Sequence, residues 1–142
     1  MSKEQLGAIA FQVFGILSRI PISNRPFPMR DFPSGSCSDA SILLGAVLTS
    51  HGFGEIHIVR AERGSPDDNS WTSHAWLEVN GDLVDITCSQ FSDSPAEAIV
   101  DESSSFHQTF AVKSRTMLTF PESWDREPSY LKDLFLKIES EL

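Results

Sequence analysis

Cysteine is scarce in this chain. Two of its 142 residues, Cys37 and Cys88, are too few for a disulfide framework, and they lack the Cys-x-x-Cys pairing of a structural zinc site. Basic side chains are scarce as well. Lys and Arg number 11 against 20 Asp and Glu, and the resulting formal charge of −9 repels a phosphate backbone, which argues against nucleic acid as a partner. No long apolar run is present: the longest, Leu6 to Leu17, contains Gln12 and falls short of the roughly 18–20 residues that span a bilayer. The sequence therefore predicts no membrane partner. Lys3 is offset by Glu4, and the apolar run ends in Leu17-Ser18-Arg19-Ile20 rather than a small-residue cleavage site, so the start does not read as a secretory signal and the expectation is a cytoplasmic protein. Internal repeats are also missing. What remains is a chain of ordinary globular composition, 40% hydrophobic and 22% charged, and of a length that suits one domain over residues 1–142.

Apolar residues at Leu6, Ile9, Ala10, Val13, Phe14, Leu17 and Ile20 predict an amphipathic helix over Lys3–Ile20, ended by Pro21. The following Pro21–Pro33 holds four of the eight prolines and reads as an extended loop, placed to form one lip of a cleft. A second helix is expected from Ser36, with Ala40, Leu43, Leu44, Val47 and Leu48 on one stripe and Gly52 or Gly54 to end it. Ser36 and Asp39 fit the Ser-x-x-Asp capping pattern, which sets Cys37 in the first turn. Glu55–Ala61 reads as a strand. Ser73–Val79 and Asp82–Thr87 read as two more, joined by Asn80-Gly81, the strongest short hairpin signal because both residues tolerate positive φ. Short strands are expected near Ala98–Val100 and Thr109–Val112, and a closing helix over Ser129–Leu142. Helices, clustered antiparallel strands and a final helix together make an α+β fold.

The hairpin carries the chemistry. A two-residue turn pairs Val79 with Asp82, and counting back along the strands sets Trp76 opposite Asp85 and His74 opposite Thr87. Alternation then puts Ala75, Leu77, Val79, Val84 and Ile86 on a core face, with His74, Trp76, Asp85 and Thr87 on the other. His74 and Asp85 are diagonal neighbours there, within reach of a side-chain hydrogen bond. An acid aimed at a histidine fixes the imidazole tautomer, as in nucleophilic triads. A cysteine in the first turn of a helix, next to an imidazole, supplies the nucleophile: the backbone dipole and an imidazolium both favour thiolate over thiol. The set Cys37, His74, Asp85 thus suits acyl transfer, with the Cys37 backbone N–H as first oxyanion donor.

The segment GSCSDASILLGAVL, then a helix end and a strand, then SHAWLEVNGDLVDITCSQF, resembles the transglutaminase-like branch of the papain-like cysteine superfamily over residues 34–91. The resemblance implies a papain-like core in which the nucleophile opens a central helix packed on an antiparallel sheet. It also implies Cys37 as nucleophile, His74 as base and Asp85 as third member, and no cofactor. The short chain is similar to small bacterial transglutaminase-like peptidases, including leader peptidases of lasso-peptide pathways. Two departures stand out: Asp85-Ile86-Thr87 replaces the common Asp-Pro-Thr, and the upstream Trp or Gln that completes the oxyanion hole has no clear counterpart, leaving Gln12 and Asn24 as candidates.

The expected function is hydrolysis of a peptide or amide bond through a thioester, with a peptide or protein as substrate. Two alternatives stay open on the same residues: transfer of the acyl group to an amine, and a catalytically silent peptide-binding module. Trp71, Trp76 and His107 are candidates for substrate binding. Asp67-Asp68 reads as a solvated loop beside the cleft that would favour basic substrates, and Cys88 as structural. Cys37, His74, Asp85 and His107 form a conceivable mixed ligand set, but no short paired spacing supports one, so no metal is expected.

Overall fold

The computed structural model describes residues 2–142. It is α+β, a five-stranded antiparallel sheet with four helices, and its elements follow from local chemistry. Helix α1 (Lys3–Arg19) begins with a full capping box: the Ser2 hydroxyl accepts from the Gln5 N–H, and the Gln5 side chain accepts from the Ser2 N–H. The Ser-x-x-Gln pattern at positions 2–5 carries that signal. The proline-rich stretch after it is less extended than its composition suggests. It coils into two 3-10 turns, Ile22–Asn24 and Phe27–Met29. Arg25 ties them back by donating to the carbonyls of Ser18, Ile20 and Arg30.

Helix α2 (Cys37–Ser50) is buried from Ala40 through Leu48, the pattern of a helix enclosed on all sides. Its end is a Schellman motif, with Gly52 at φ 93°, the Gly52 N–H on the Thr49 carbonyl and the Phe53 N–H on the Leu48 carbonyl. Its start corrects the sequence reading. Ser36 occupies the N-cap position but makes no side-chain cap; at φ −116°, ψ 8° it has left the extended conformation that aims a hydroxyl at the first turn, and its Oγ donates to the Ser34 carbonyl instead. Asp39 is not part of a capping box either, and accepts from the Tyr130 hydroxyl of the last helix at 2.7 Å.

Strands β1 (Ile56–Arg63), β2 (Thr72–Val79), β3 (Asp82–Asp85), β4 (Ile99–Asp101) and β5 (Ala111–Met117) lie in the order β4-β3-β2-β1-β5. The hairpin register is Val79↔Asp82, Glu78↔Leu83 and Leu77↔Val84, with Asn80 at φ 51° and Gly81 at φ 89°. This is the pairing that the Asn-Gly turn demands, but β3 ends at Asp85, short of the expected Thr87. The cause is local. The Thr87 N–H, which a longer strand would spend on a ladder, donates to the Asp85 carboxylate at 2.8 Å, and the chain turns into a 3-10 segment, Cys88–Gln90.

Alternation along β1 and β2 feeds two cores. Ile56, Ile58, Ala75, Leu77 and Val79 pack with α1, α2 and the C-terminal helix α4 (Ser129–Glu141) on one face. Val59, Ala61 and Trp76 join Leu83, Cys88, Phe106 and Phe110 in a second cluster on the other face, which the segment after β3 covers. That segment includes a four-residue helix, α3 (Ser105–Gln108), absent from the sequence reading and capped by the Ser104 hydroxyl accepting from the His107 N–H. Edge strand β5 is exposed throughout, with Lys113 and Arg115 on it as charged edge protection.

Two glycines test these backbone rules. A Cβ at Gly64, which sits at φ 80°, would stand 2.2 Å from the Ser70 carbonyl oxygen, whereas a Cβ at Gly7 in α1 meets nothing within 4 Å. Gly64→Ala is expected to lower the urea-unfolding free energy by about 1–3 kcal/mol, and Gly7→Ala to raise it by roughly 0.5–1 kcal/mol.

Candidate functional site

Cys37 is the first residue of α2, and His74 and Asp85 sit on β2 and at the end of β3. His74 and Asp85 are each 2% exposed. The His74 Nε2 lies 2.6 Å from Asp85 Oδ2, so that nitrogen is the donor to the carboxylate and Nδ1 is left for the thiol side. Burial works to lower the His74 pKa. Hydrogen bonds to Asp85 and then to Cys37, reinforced by their charges, outweigh it and push His74 up to about 9. For Asp85, burial works to raise the pKa, but hydrogen bonds from His107 and then His74 prevail and hold it down at about 2. The structure thus brings together the three residues that the sequence singled out as a triad.

A cleft of about 320 Å³ opens over Cys37 and His74, lined also by Arg60, Glu62, Trp71 and Lys113. Trp71 is 48% exposed and stands at this cleft, at the end of the loop between β1 and β2. Lys113 arrives through a register shift. Arg60 pairs with Ser114 but Ala61 with Val112, so Lys113 is the extra residue of a β-bulge, a device that re-aims a side chain.

The remaining candidates lie elsewhere. Trp76 does not line the cleft: it is 2% exposed in the second core, and its Nε1 has no acceptor among the described residues. His107 is also buried away from the cleft, donating from Nε2 to Asp85 Oδ2 at 2.6 Å, with Nδ1 at 2.7 Å from the Ser104 hydroxyl. Gln12 is exposed on α1, and Asn24 lines a different cavity with Tyr130 and Lys137, so neither stands over Cys37. Asp67 and Asp68 are absent from the cleft wall, whose charged members are Arg60, Lys113 and Glu62; nor does Pro21–Pro33 form its lip. These placements turn on loop paths, which local pattern does not encode.

Two contributors escaped the sequence reading. The Gln90 Nε2 donates to the Thr87 carbonyl at 3.0 Å and stands 3.5 Å from His74 Nδ1, placing an amide donor beside the thiol-facing nitrogen. Arg63 closes the far side of the site. Its guanidinium lies 4.4 Å from the Phe110 ring centre and over Phe91 and Phe106 as well, while both terminal nitrogens bond Asp93 at 2.8 Å. Phe91, Phe106 and Phe110 surround the His74 ring and account for its desolvation. Cys88 is fully buried, and burial first, then the Asp85 charge, pushes its thiol up to about 11.

His74, Asp85 and His107 hold ligand-type atoms within 4.8 Å of one another. Both nitrogen-to-oxygen separations of 2.6 Å are hydrogen-bond lengths, shorter than the roughly 3.3 Å between two ligands of a tetrahedral zinc at 2.0–2.1 Å. The donor set is therefore arranged around a carboxylate, not around a cation. Comparison with protein families, curated proteins and solved structures finds no match to this chain.

The coupled pair makes folding stability depend on pH. The His74 contribution is complete below its ordinary 6.5 and disappears as pH rises through about 9. The Asp85 contribution is complete above its ordinary 3.8 and is lost as pH falls through about 2. The urea-unfolding free energy is expected to decline between about pH 7 and 9, and Asp85→Asn to flatten that decline while moving the His74 NMR titration midpoint down toward 6.5.

Proposed function

We propose that the chain is a cysteine-dependent acyl-transfer enzyme of transglutaminase-like, papain-like type that hydrolyses a peptide or amide bond. One observation carries this reading: a cysteine at the first residue of a helix lines the same cleft as an imidazole whose Nε2 is held by a buried carboxylate. With His74 raised to about 9, the imidazole is protonated at neutral pH beside Cys37, the pairing that activates cysteine nucleophiles.

In the proposed reaction Cys37 Sγ attacks the carbonyl carbon and the carbonyl π electrons move to oxygen. When the tetrahedral species collapses, the C–N bond breaks and His74 Nδ1 gives its proton to the leaving amine, which leaves a thioester. Water then attacks the thioester as His74 takes a proton from it, and collapse of this second tetrahedral species breaks the C–S bond, releasing the carboxylic acid and restoring the Cys37 thiolate beside protonated His74. Through Nε2, Asp85 keeps the ring oriented and stabilises its charged form. The first-turn N–H groups of α2 have no side-chain cap, so the Cys37 N–H is free to face an oxyanion. Hydrolysis needs no cofactor in this scheme. A cleft walled by Trp71, Lys113 and Glu62 suits a peptide or protein segment, and two free thiols suit the reducing cytoplasm.

Iodoacetamide at about pH 6 is expected to modify Cys37 at least ~10-fold faster than Cys88, read by peptide mass spectrometry. Faster labelling of Cys88 would remove the nucleophile assignment. Incubation with a peptide library should yield cleaved products; incorporated amine would show transfer instead, and bound intact peptide a silent module. In a folded protein, Asp85→Ala should cost ~10²–10⁴ in turnover, while Asp82→Ala at the hairpin turn should cost only about 0.5–1 kcal/mol of stability.

A further inference from the structure

We propose that His107 is a positioning residue for the triad, a second histidine that holds the Asp85 carboxylate in the orientation His74 requires. The inference rests on the acyl-transfer reading and deepens it. A carboxylate offers about four lone-pair directions. In Asp85 all four are taken: Oδ1 accepts from the Thr87 N–H at 2.8 Å and the Thr87 hydroxyl at 3.3 Å, and Oδ2 accepts from His74 Nε2 and His107 Nε2, each at 2.6 Å. Both Oδ1 donors come from one residue two positions along the chain, so they anchor one end of the group. Its other end is the one that meets the base. Without His107, a single donor, His74 itself, would define the plane of the carboxylate at Oδ2.

His107 is fixed in turn. With Nε2–H directed at Asp85, the other ring nitrogen, Nδ1, lies 2.7 Å from the Ser104 hydroxyl. Ser104 also caps α3 by accepting from the His107 N–H at 3.2 Å, so one hydroxyl holds both the backbone and the ring of the same residue. Phe106 and Trp76 flank the ring edge-on at 4.9 and 4.6 Å, which excludes water from the contact. The result is a chain of contacts, Ser104 to His107 to Asp85 to His74 to Cys37, in which the first two members never touch substrate.

Other groups facing this chain do not duplicate the role. The Cys88 thiol, on the turn after β3, adds no donor to the Asp85 carboxylate and points its Sγ at the carbonyls of Asp85 and Ala96. From α2 only Cys37 faces His74, and from the turn after β3 the Gln90 amide does so at the opposite nitrogen. Loss of His107 therefore leaves a buried carboxylate one donor short, which favours its protonated form.

The test compares wild type, His107→Phe, His107→Gln, Ser104→Ala and Asp85→Ala by two readouts: the pH profile of Cys37 alkylation by iodoacetamide, and the Asp85 carboxyl titration by carbon-13 NMR. In wild type Asp85 should stay ionised until the pH falls toward about 2. In His107→Phe it should titrate within the folded range, and the acid limb of alkylation should move to higher pH, with ~10-fold slower labelling near pH 5. His107→Gln retains an N–H donor and should restore most of the wild-type profile, with Ser104→Ala intermediate. A folded His107→Phe with an unmoved acid limb and an unmoved Asp85 midpoint overturns the proposal. If His107→Phe does not fold, unaltered profiles in both His107→Gln and Ser104→Ala, alongside no Asp85 titration shift, overturn it equally. An Asp85→Ala variant that labels like wild type removes the triad reading itself, and this proposal with it, whereas an altered Asp85→Ala with an unaltered His107→Phe removes this proposal alone.

Discussion

A single buried carboxylate organises the site. Asp85 is ionised in a part of the protein where burial opposes charge, and only a full set of donors makes that tolerable. Each donor belongs to a different piece of the architecture: His74 to the adjacent strand, Thr87 to the turn after β3, His107 to α3. Satisfying the carboxylate therefore ends β3, starts the 3-10 turn and pins α3 across the back of the sheet. The charge then passes forward, since a fixed carboxylate is what raises the His74 affinity for its proton.

The second core serves the same end by exclusion. Phe91, Phe106 and Phe110 pack against His74, and Arg63 lies over all three rings while Asp93 grips its guanidinium. Aromatic faces and a cation on top of them make a lid whose inner side is dry. Desolvation works against the charged imidazole, and the neighbouring Asp85 carboxylate leads the contributions that outweigh it.

Much of the strand and helix layout was legible because period and turn chemistry are local. Asn80-Gly81 determines which residues face each other across the hairpin, and with it the side of the sheet on which His74 and Asp85 fall. The helix starting at Cys37 was legible too, though for the wrong reason: Ser36 does not cap, and burial of Ala40 through Leu48 stabilises the helix instead. His107 stood out by residue type as a substrate-binding candidate, but its contact with Asp85 was hidden because that partner is 22 residues away and the intervening segment has no periodicity to follow. The Ser104 cap was the only local clue to α3. Gln12 and Asn24 were drawn in by residue type alone, and long-range packing set them elsewhere.

Alternation puts His74 on the sheet face of the second core, while Cys37 belongs to a helix packed on the first. Before Leu77 β2 has no ladder to β3, so the early part of β2 has no strand neighbour on that side, and Cys37 and His74 line one cleft. The thiol and the imidazole are consequently contributed by different layers of the molecule. Neither layer by itself holds both side chains. A nascent or partly unravelled chain carries the thiol on one fragment and the imidazole on another, and the two meet only when the layers dock. Assembly of the domain is thus what sets Cys37 beside His74: the two side chains share one cleft only in the folded chain.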